Sequence, residues 1–272
     1  AEYFAKIFSV QLPIVREPNK VKGKIINVGN TAAASVAKIK ADPREQAYKL
    51  AVIKDNLYIL GGTRGPVYGV IALLEEDLGC RWYSPTDKPV IPNLTGKKLT
   101  VAPRSYCPPF EVRELLYEPA FNNDWAAFNR LQNVSYFFKI PYEKGGGLAN
   151  VNYFIHTYSG LVPSEKYFAD HPEYFPLRNG KRHPSTQNDG QLCYTSPGVV
   201  DVIASQLDAE IAKNPGMYIY SVSANDNVYS DCECESCQKI IKSEDGLPGA
   251  QLYLANEVAK KLAVKYPQIK IT

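Results

Sequence analysis

The chain has 272 residues, 45% of them hydrophobic and 22% charged, which suffices to bury a core in one or two globular domains and excludes a disordered chain. Its 31 basic and 28 acidic residues leave a formal net charge of +3 and are spread without a basic run, so nucleic acid is a poor partner. No apolar stretch approaches the roughly 20 residues that span a bilayer.

Residues 2–8 suit the end of an amphipathic helix, and 24–28 is a short β-rich run closing on the turn pair Gly29-Asn30. Two apolar runs, 48–53 and 56–60, flank Lys54-Asp55 and predict a hairpin. The string from Gly61 to Pro66 then breaks the strand and starts a helix over 67–78, with Pro in its first turn and Gly79 at its stop. A last strand is expected at 97–101, completing a small α+β domain over residues 1–103. Pro103, Pro108 and Pro109 crowd the stretch that follows, as in an inter-domain linker.

From 110 to 272 the pattern changes to strands alternating with helices. Strands are expected at 111–117, 152–158, 192–195, 217–223 and 269–272, and helices around 125–131, 199–213 and 250–265. Val199, Ile203, Leu207 and Ile211 recur every four residues and mark one helix face. The alternation predicts an α/β fold with parallel strands and crossover helices. Tyr117-Glu118-Pro119-Ala120 is no Gly-rich phosphate loop, which disfavours a doubly wound nucleotide-binding sheet. The expected architecture is therefore a partial (β/α)₈ TIM-type barrel, its first half visible, behind the α+β domain. The sequence opens without Met in a helix-like pattern and stops in a strand-like one, so both ends read as cuts in a longer protein. No signal peptide opens it, and a periplasmic or extracellular setting is expected with the signal region outside the chain.

In such barrels the working residues project from the C-terminal ends of strands. That rule selects Glu114, Tyr117 and Glu118 after the first strand, His156 and Tyr158 after the second, and Tyr194 after the third. After the fourth comes Ser221-Val-Ser-Ala-Asn-Asp-Asn227, in which Asp226 is the candidate acid. Glycoside cleavage needs one carboxylic acid to protonate the departing oxygen and a second carboxylate to activate water or attack the sugar. Asn225 and Asn227 have the amides that bind sugar hydroxyls, and the same triplet also suits a turn or a helix cap. His156 can orient or protonate a substrate near neutral pH. His171 and His183 fall in a long polar loop with a hairpin turn at Asn179-Gly180, and long loops often cover barrel sites. Nineteen Tyr and ten Phe against two Trp also suit sugar faces, as well as an ordinary core.

Six cysteines are too few for a disulfide scaffold of this size, yet Cys232, Cys234 and Cys237 crowd together. Such thiolates can hold a structural zinc with a fourth ligand such as Cys193 or a histidine, or two of them can form a disulfide. No other cofactor is required.

Gly61-Gly-Thr-Arg-Gly-Pro-Val-Tyr-Gly-Val70 followed by Leu78-Gly-Cys-Arg-Trp-Tyr-Ser-Pro85 resembles the N-terminal domain shared by α-glucuronidases and β-hexosaminidases, glycoside hydrolase families 67 and 20. His171-Pro-Glu-Tyr-Phe175, Gln191-Leu-Cys-Tyr-Thr-Ser-Pro197, Ser221 to Asn227 and Cys232-Glu-Cys-Glu-Ser-Cys237 together resemble the bacterial family known as domain of unknown function 4838. The resemblance implies a glycoside hydrolase-like protein with a carbohydrate substrate, and it places Asp226 where hexosaminidases carry their general acid. Asn227 follows it where those enzymes have a glutamate, which speaks against substrate-assisted chemistry. The alternative is a non-catalytic carbohydrate-binding barrel that lacks the second acid, and a third reading is a structural protein stapled at the Cys232 cluster. Nothing in the sequence fixes sugar, linkage or oligomeric state.

Overall fold

The computed structural model describes residues 1–19, 21–110, 112–115, 117–131, 151–152, 155–227 and 231–272. They fall into two compact units, 1–148 and 149–272, each with its own apolar core.

The first unit is built on a four-stranded sheet of β1 (Ile26–Val28), β2 (Tyr48–Ile53), β3 (Asn56–Gly61) and β4 (Arg104–Tyr106), in the order β1-β3-β2-β4. β1 runs parallel to β3, while β2 is antiparallel to both β3 and β4. Lys54 and Asp55 turn the hairpin with φ of 49° and 66°, the left-handed pair whose twist matches the flanking strands. Helix α1 (Glu2–Phe8) buries Ile7 and Phe8, and the short α2 (Ala32–Val36) is capped by Thr31. Helix α3 (Gly65–Ala72) continues into a π-helical turn, Leu73–Asp77, and lays Tyr68, Ile71, Leu73 and Leu74 against Leu50, Leu57 and Ile59 of the hairpin. A Cβ at Gly65 would fall on the Ala47 carbonyl oxygen, so a bare backbone is what lets the helix start this close to β2. Trp82 stacks on Phe128 of α4 (Asn123–Phe128) with centroids 4.1 Å apart.

The edge strand lies at 104–106, where 97–101 was expected. Arg104 fixes it there, with its guanidinium 2.7 Å from the Asp77 carboxylate and bonded to the Ala72 carbonyl. The strand expected at 111–117 is likewise not formed at 112–115 or 117, and residues 111 and 116 lie outside the described set. Arg113 instead holds this stretch as a loop by donating to the Phe110 and Arg130 carbonyls.

The second unit holds three parallel strands, β5 (Val151–Asn152), β8 (Ile219–Tyr220) and β9 (Lys270–Ile271), in the order β5-β8-β9. Helix α7 (Pro197–Lys213) connects the first two, and α8 (Glu235–Ser243) with α9 (Leu247–Ala263) connects the second and third. α7 buries Val199, Ile203, Leu207 and Ile211, and α9 buries Ala250, Leu254, Val258 and Leu262, both at four-residue spacing. Between β5 and α7 lie the one-turn helices α5 (Tyr158–Leu161) and α6 (Ser164–Tyr167) and the small hairpin of β6 (Leu177–Arg178) and β7 (Lys181–Arg182), turned at Asn179-Gly180 as the sequence predicts.

The α/β character is therefore present, and no closed barrel is found among the described residues. The strand expected at 192–195 is a turn into α7: Cys193 N–H donates to the Tyr174 carbonyl and Ser196 N–H to the Cys193 carbonyl. Leu192, Cys193 and Tyr194 are all buried, so no alternating face exists for a ladder to use. No helix among the described residues is long and apolar enough to cross a membrane.

Candidate functional site

Two clusters of chemistry-bearing side chains lie in the second unit. The first surrounds the chain as it leaves β8. Thr157 and Tyr158 N–H groups donate to the Ser223 carbonyl at 3.0 and 3.2 Å, and Ser223 N–H returns a bond to Thr157 Oγ1 at 2.8 Å. This lacing sets the segments after β5 and β8 side by side. Asn225 is buried and serves as a bracket: its Oδ1 accepts from Ser159 N–H and its Nδ2 donates to the Gly190 carbonyl, both at 2.9 Å. Gln191 completes the bracket, accepting from Asn225 N–H at 2.9 Å and donating to the Asn225 carbonyl at 3.1 Å and to Asn227 Oδ1 at 3.0 Å.

On this bracket Asp226 projects outward, its side chain 72% exposed, with Oδ1 3.8 Å from His156 Nε2. His156 Nδ1 lies 3.0 Å from the Ala224 carbonyl, an acceptor only, so the ring proton sits on Nδ1 and Nε2 faces the carboxylate. His156 also holds φ at 55°, a left-handed conformation rare outside glycine and costly unless the surroundings enforce it. The lacing at Thr157 supplies that enforcement. Acid and imidazole, far apart in sequence, thus meet at the C-terminal ends of neighbouring parallel strands, where open and closed α/β sheets alike carry their sites.

The other expected sugar-binding residues divide. Asn225 and Asn227 are spent on the bracket. Tyr158 and Tyr194 are wholly buried, with ring centroids 6.3 Å apart, and face the core. Burial raises the Tyr158 phenol far above its ordinary range, and burial followed by the Asp231 carboxylate does the same at Tyr194, whose hydroxyl donates to Asp231 at 2.6 Å. Glu118 and Tyr117 are exposed residues of the first unit, and Glu114, in the same unit, is half-buried. A groove of about 370 Å³ opens in that unit too, lined by Asn30, Ser35, Lys40, Asp42 and Leu60, and no acid–imidazole pair accompanies it. We therefore take the bracketed pair, and not this groove, as the candidate for chemistry.

The second cluster is of sulfur. Cys193, Cys232, Cys234 and Cys237 bring their Sγ atoms within 4.8 Å of one another, close enough for a metal ion to bind all four. Cys193 lies 3.8 Å from both Cys234 and Cys237. Three of the four thiols are buried and Cys234 is partly so. Hydrogen bonds from Cys232 and then Cys237 pull the Cys193 thiol far below its usual value, and the same bond to Cys193 pushes Cys232 up to about 11 and Cys237 well beyond.

Gln191 and Arg182 carried no assigned role in the sequence, although both lie in strings singled out there. No local signal marks Gln191 for the bracket, because its partners there lie 34 and 36 residues further along the chain. Cys193 was one option for a fourth ligand and is the one the fold selects, 41 residues before Cys234. His171 stacks on Tyr174 and pairs with Glu173.

A model of the family described as domain of unknown function (DUF4838) matches residues 82–272. No curated protein matches the chain.

Proposed function

The chain belongs to the DUF4838 family, and from that premise we propose that it is a glycoside hydrolase-like protein that cleaves a glycosidic bond in a poly- or oligosaccharide, with Asp226 as general acid. One observation carries the reading: an exposed carboxylate, held on a buried polar bracket, faces the imidazole of a backbone-strained histidine at the C-terminal end of a parallel sheet. The bracket fixes the backbone while leaving the carboxyl open to an incoming sugar oxygen, and proton transfer requires that reach. His156, anchored through Nδ1, offers Nε2 to hold or accept the Asp226 proton between turnovers. The strand–helix–strand run from β5 to β9 supports a partial (β/α)₈ barrel, and the Gly61-to-Pro85 motifs support a first domain of the α-glucuronidase and β-hexosaminidase kind. A periplasmic or extracellular protein would meet such glycans directly. The four cysteines then belong to a structural zinc and not to catalysis.

Asp226→Asn in the complete protein, assayed against a panel of oligosaccharides, tests the assignment. Cleavage should fall by about 10²-fold or more while binding persists, and full activity in the variant would remove Asp226 from the chemistry. A non-catalytic binding protein is favoured by one observation, that the recorded partner of Asp226 is a histidine where glycosidases carry a second carboxylate. Binding without turnover in the unmodified protein would establish that reading.

A further inference from the structure

We propose that Cys193, Cys232, Cys234 and Cys237 form a closed four-thiolate zinc site, and that the ion clamps both flanks of the segment carrying Asp226. The ion itself rests on the sulfur geometry alone, whereas its use to Asp226 rests on the glycosidase reading.

A tetrahedral zinc ion with Zn–S bonds of about 2.3 Å requires its sulfurs to stand about 3.8 Å apart. Two of the separations are 3.8 Å and every other is within 4.8 Å. Two disulfides would instead draw the sulfurs into pairs at about 2.0 Å and split the cluster. Thiolates are soft donors and select zinc over magnesium or calcium, and four of them leave no open position for water, so the ion is structural.

The surroundings suit the charge. Four thiolates on one divalent cation carry a net −2, and the protein sets positive charge and donors around it. Leu177 N–H donates to Cys232 Sγ at 3.4 Å, and Arg182 Nη1 lies 3.6 Å from the same sulfur. Thr195 Oγ1 is 3.4 Å from Cys237 Sγ. Cys234 occupies the N-cap position of α8 and Cys237 lies in its first turn, where unpaired N–H groups and the helix dipole favour anionic sulfur. Zinc binding displaces the thiol protons to solvent as the four Zn–S bonds form.

The ligands flank the candidate site in sequence and in space. Cys193 follows Gln191, whose amide grips Asn225 and Asn227, by two residues. Cys232 directly follows Asp231, which holds the Tyr194 hydroxyl. The β6–β7 hairpin is drawn into the same assembly, because Glu233 N–H donates to the Leu177 carbonyl and Asn179 N–H to the Glu233 carboxylate. One ion therefore ties the turn at 191–193, which grips the bracket, to the chain on the far side of the Asp226 segment.

The test is elemental analysis of the full chain purified without chelators under reducing conditions, followed by exchange of zinc for cobalt. One zinc per chain is expected, with thiolate-to-cobalt charge-transfer bands and the visible bands of a tetrahedral cobalt centre. Cys193→Ser should lose at least half of the metal and Cys80→Ser none. The cobalt spectrum of the unmodified protein decides the matter even if Cys193→Ser fails to fold. A metal-free protein with no cobalt spectrum, or bridged peptides among the four cysteines, overturns the site. For the clamp, zinc removal should speed amide hydrogen exchange at 225–227 at least tenfold and leave the hairpin of β2 and β3 unchanged. Zinc binding without that acceleration overturns the clamp. Full activity in Asp226→Asn would defeat the glycosidase reading and leave the metal result standing.

Discussion

The two units of this chain hold themselves together by different means. The first relies on a continuous backbone ladder and apolar packing: β2 and β3 pair along six residues each, and α3 seats Tyr68 and Ile71 on them. The second has strands of two residues each, too short to fix a site. Its helices α7 and α9 make an ordinary core, but the loops that carry chemistry are set by side chains: the Asn225–Gln191 bracket, the Thr157–Ser223 lacing and the four cysteines. A sheet resists local perturbation because each residue is held by its neighbours, whereas a bracket fails as a unit when one member goes. The contrast can be broken in a graded series.

The largest effect should follow metal removal from the second unit. Structural zinc supplies on the order of 10 kcal/mol to small domains that depend on it. Here part of the core persists without it, so about 5 kcal/mol is expected from a chelator or from Cys237→Ser. Unfolding monitored by hydrogen exchange should show the loss between 174 and 245 and none in the β2–β3 hairpin. Equal losses in both units would mean that the division of labour is wrong.

Next is Gly65→Ala. The added Cβ meets the Ala47 carbonyl oxygen, a backbone atom that cannot turn aside as a side chain would. Overpacking of this kind should cost about 3 kcal/mol, read as a lower denaturant midpoint for the first unit. Chelators should neither add to that loss nor relieve it.

These two cases also mark what the sequence could and could not disclose. The hairpin and α3 were legible because their signals are local: two apolar-rich runs, a Lys54-Asp55 turn, a proline at the helix start and Gly79 after it. The buried face of α7 was legible for the same reason. At 192–195 the run Leu-Cys-Tyr-Thr looks like a strand, but Cys193 joins the other three cysteines and Tyr194 bonds Asp231, partners about 40 residues further along that no residue nearby in sequence reveals. α8 has no Ser, Thr, Asp or Asn at its start to signal it, because Cys234 occupies that position without a side-chain capping bond. In the site, Asp226 and His156 were named and the fold sets them 3.8 Å apart, while Tyr158 and Tyr194 proved to be core. A strand-end rule gives position along the chain and says nothing of which way a side chain turns.

Asn225→Ala should be smaller than either, at about 2 to 3 kcal/mol. It strips the part-buried Ser159 N–H of its acceptor and takes one donor from the Gly190 carbonyl, which Asn227 Nδ2 still reaches at 3.2 Å. Because Gln191 grips the Asn225 backbone and Asn227 Oδ1, both amides hold the same stretch of chain, and the double variant Asn225→Ala/Gln191→Ala should cost less than the sum of the two single ones. Additive losses in thermal unfolding would show that the two amides act independently.

Asp226→Asn should be the smallest in stability and the most informative. The carboxyl is 72% exposed and its imidazole partner stands at 3.8 Å, beyond hydrogen-bond length, so solvent screens most of whatever attraction exists. The expected change is about 0.5 kcal/mol or less, a shift in melting temperature of roughly 1 to 2 °C. A residue retained for stability would behave like Asn225, and one retained for chemistry would be free to change without the fold noticing. If Asp226→Asn lowers stability as much as Asn225→Ala, the aspartate is a fourth member of the bracket. If it leaves stability alone and abolishes cleavage, the bracket exists to present it.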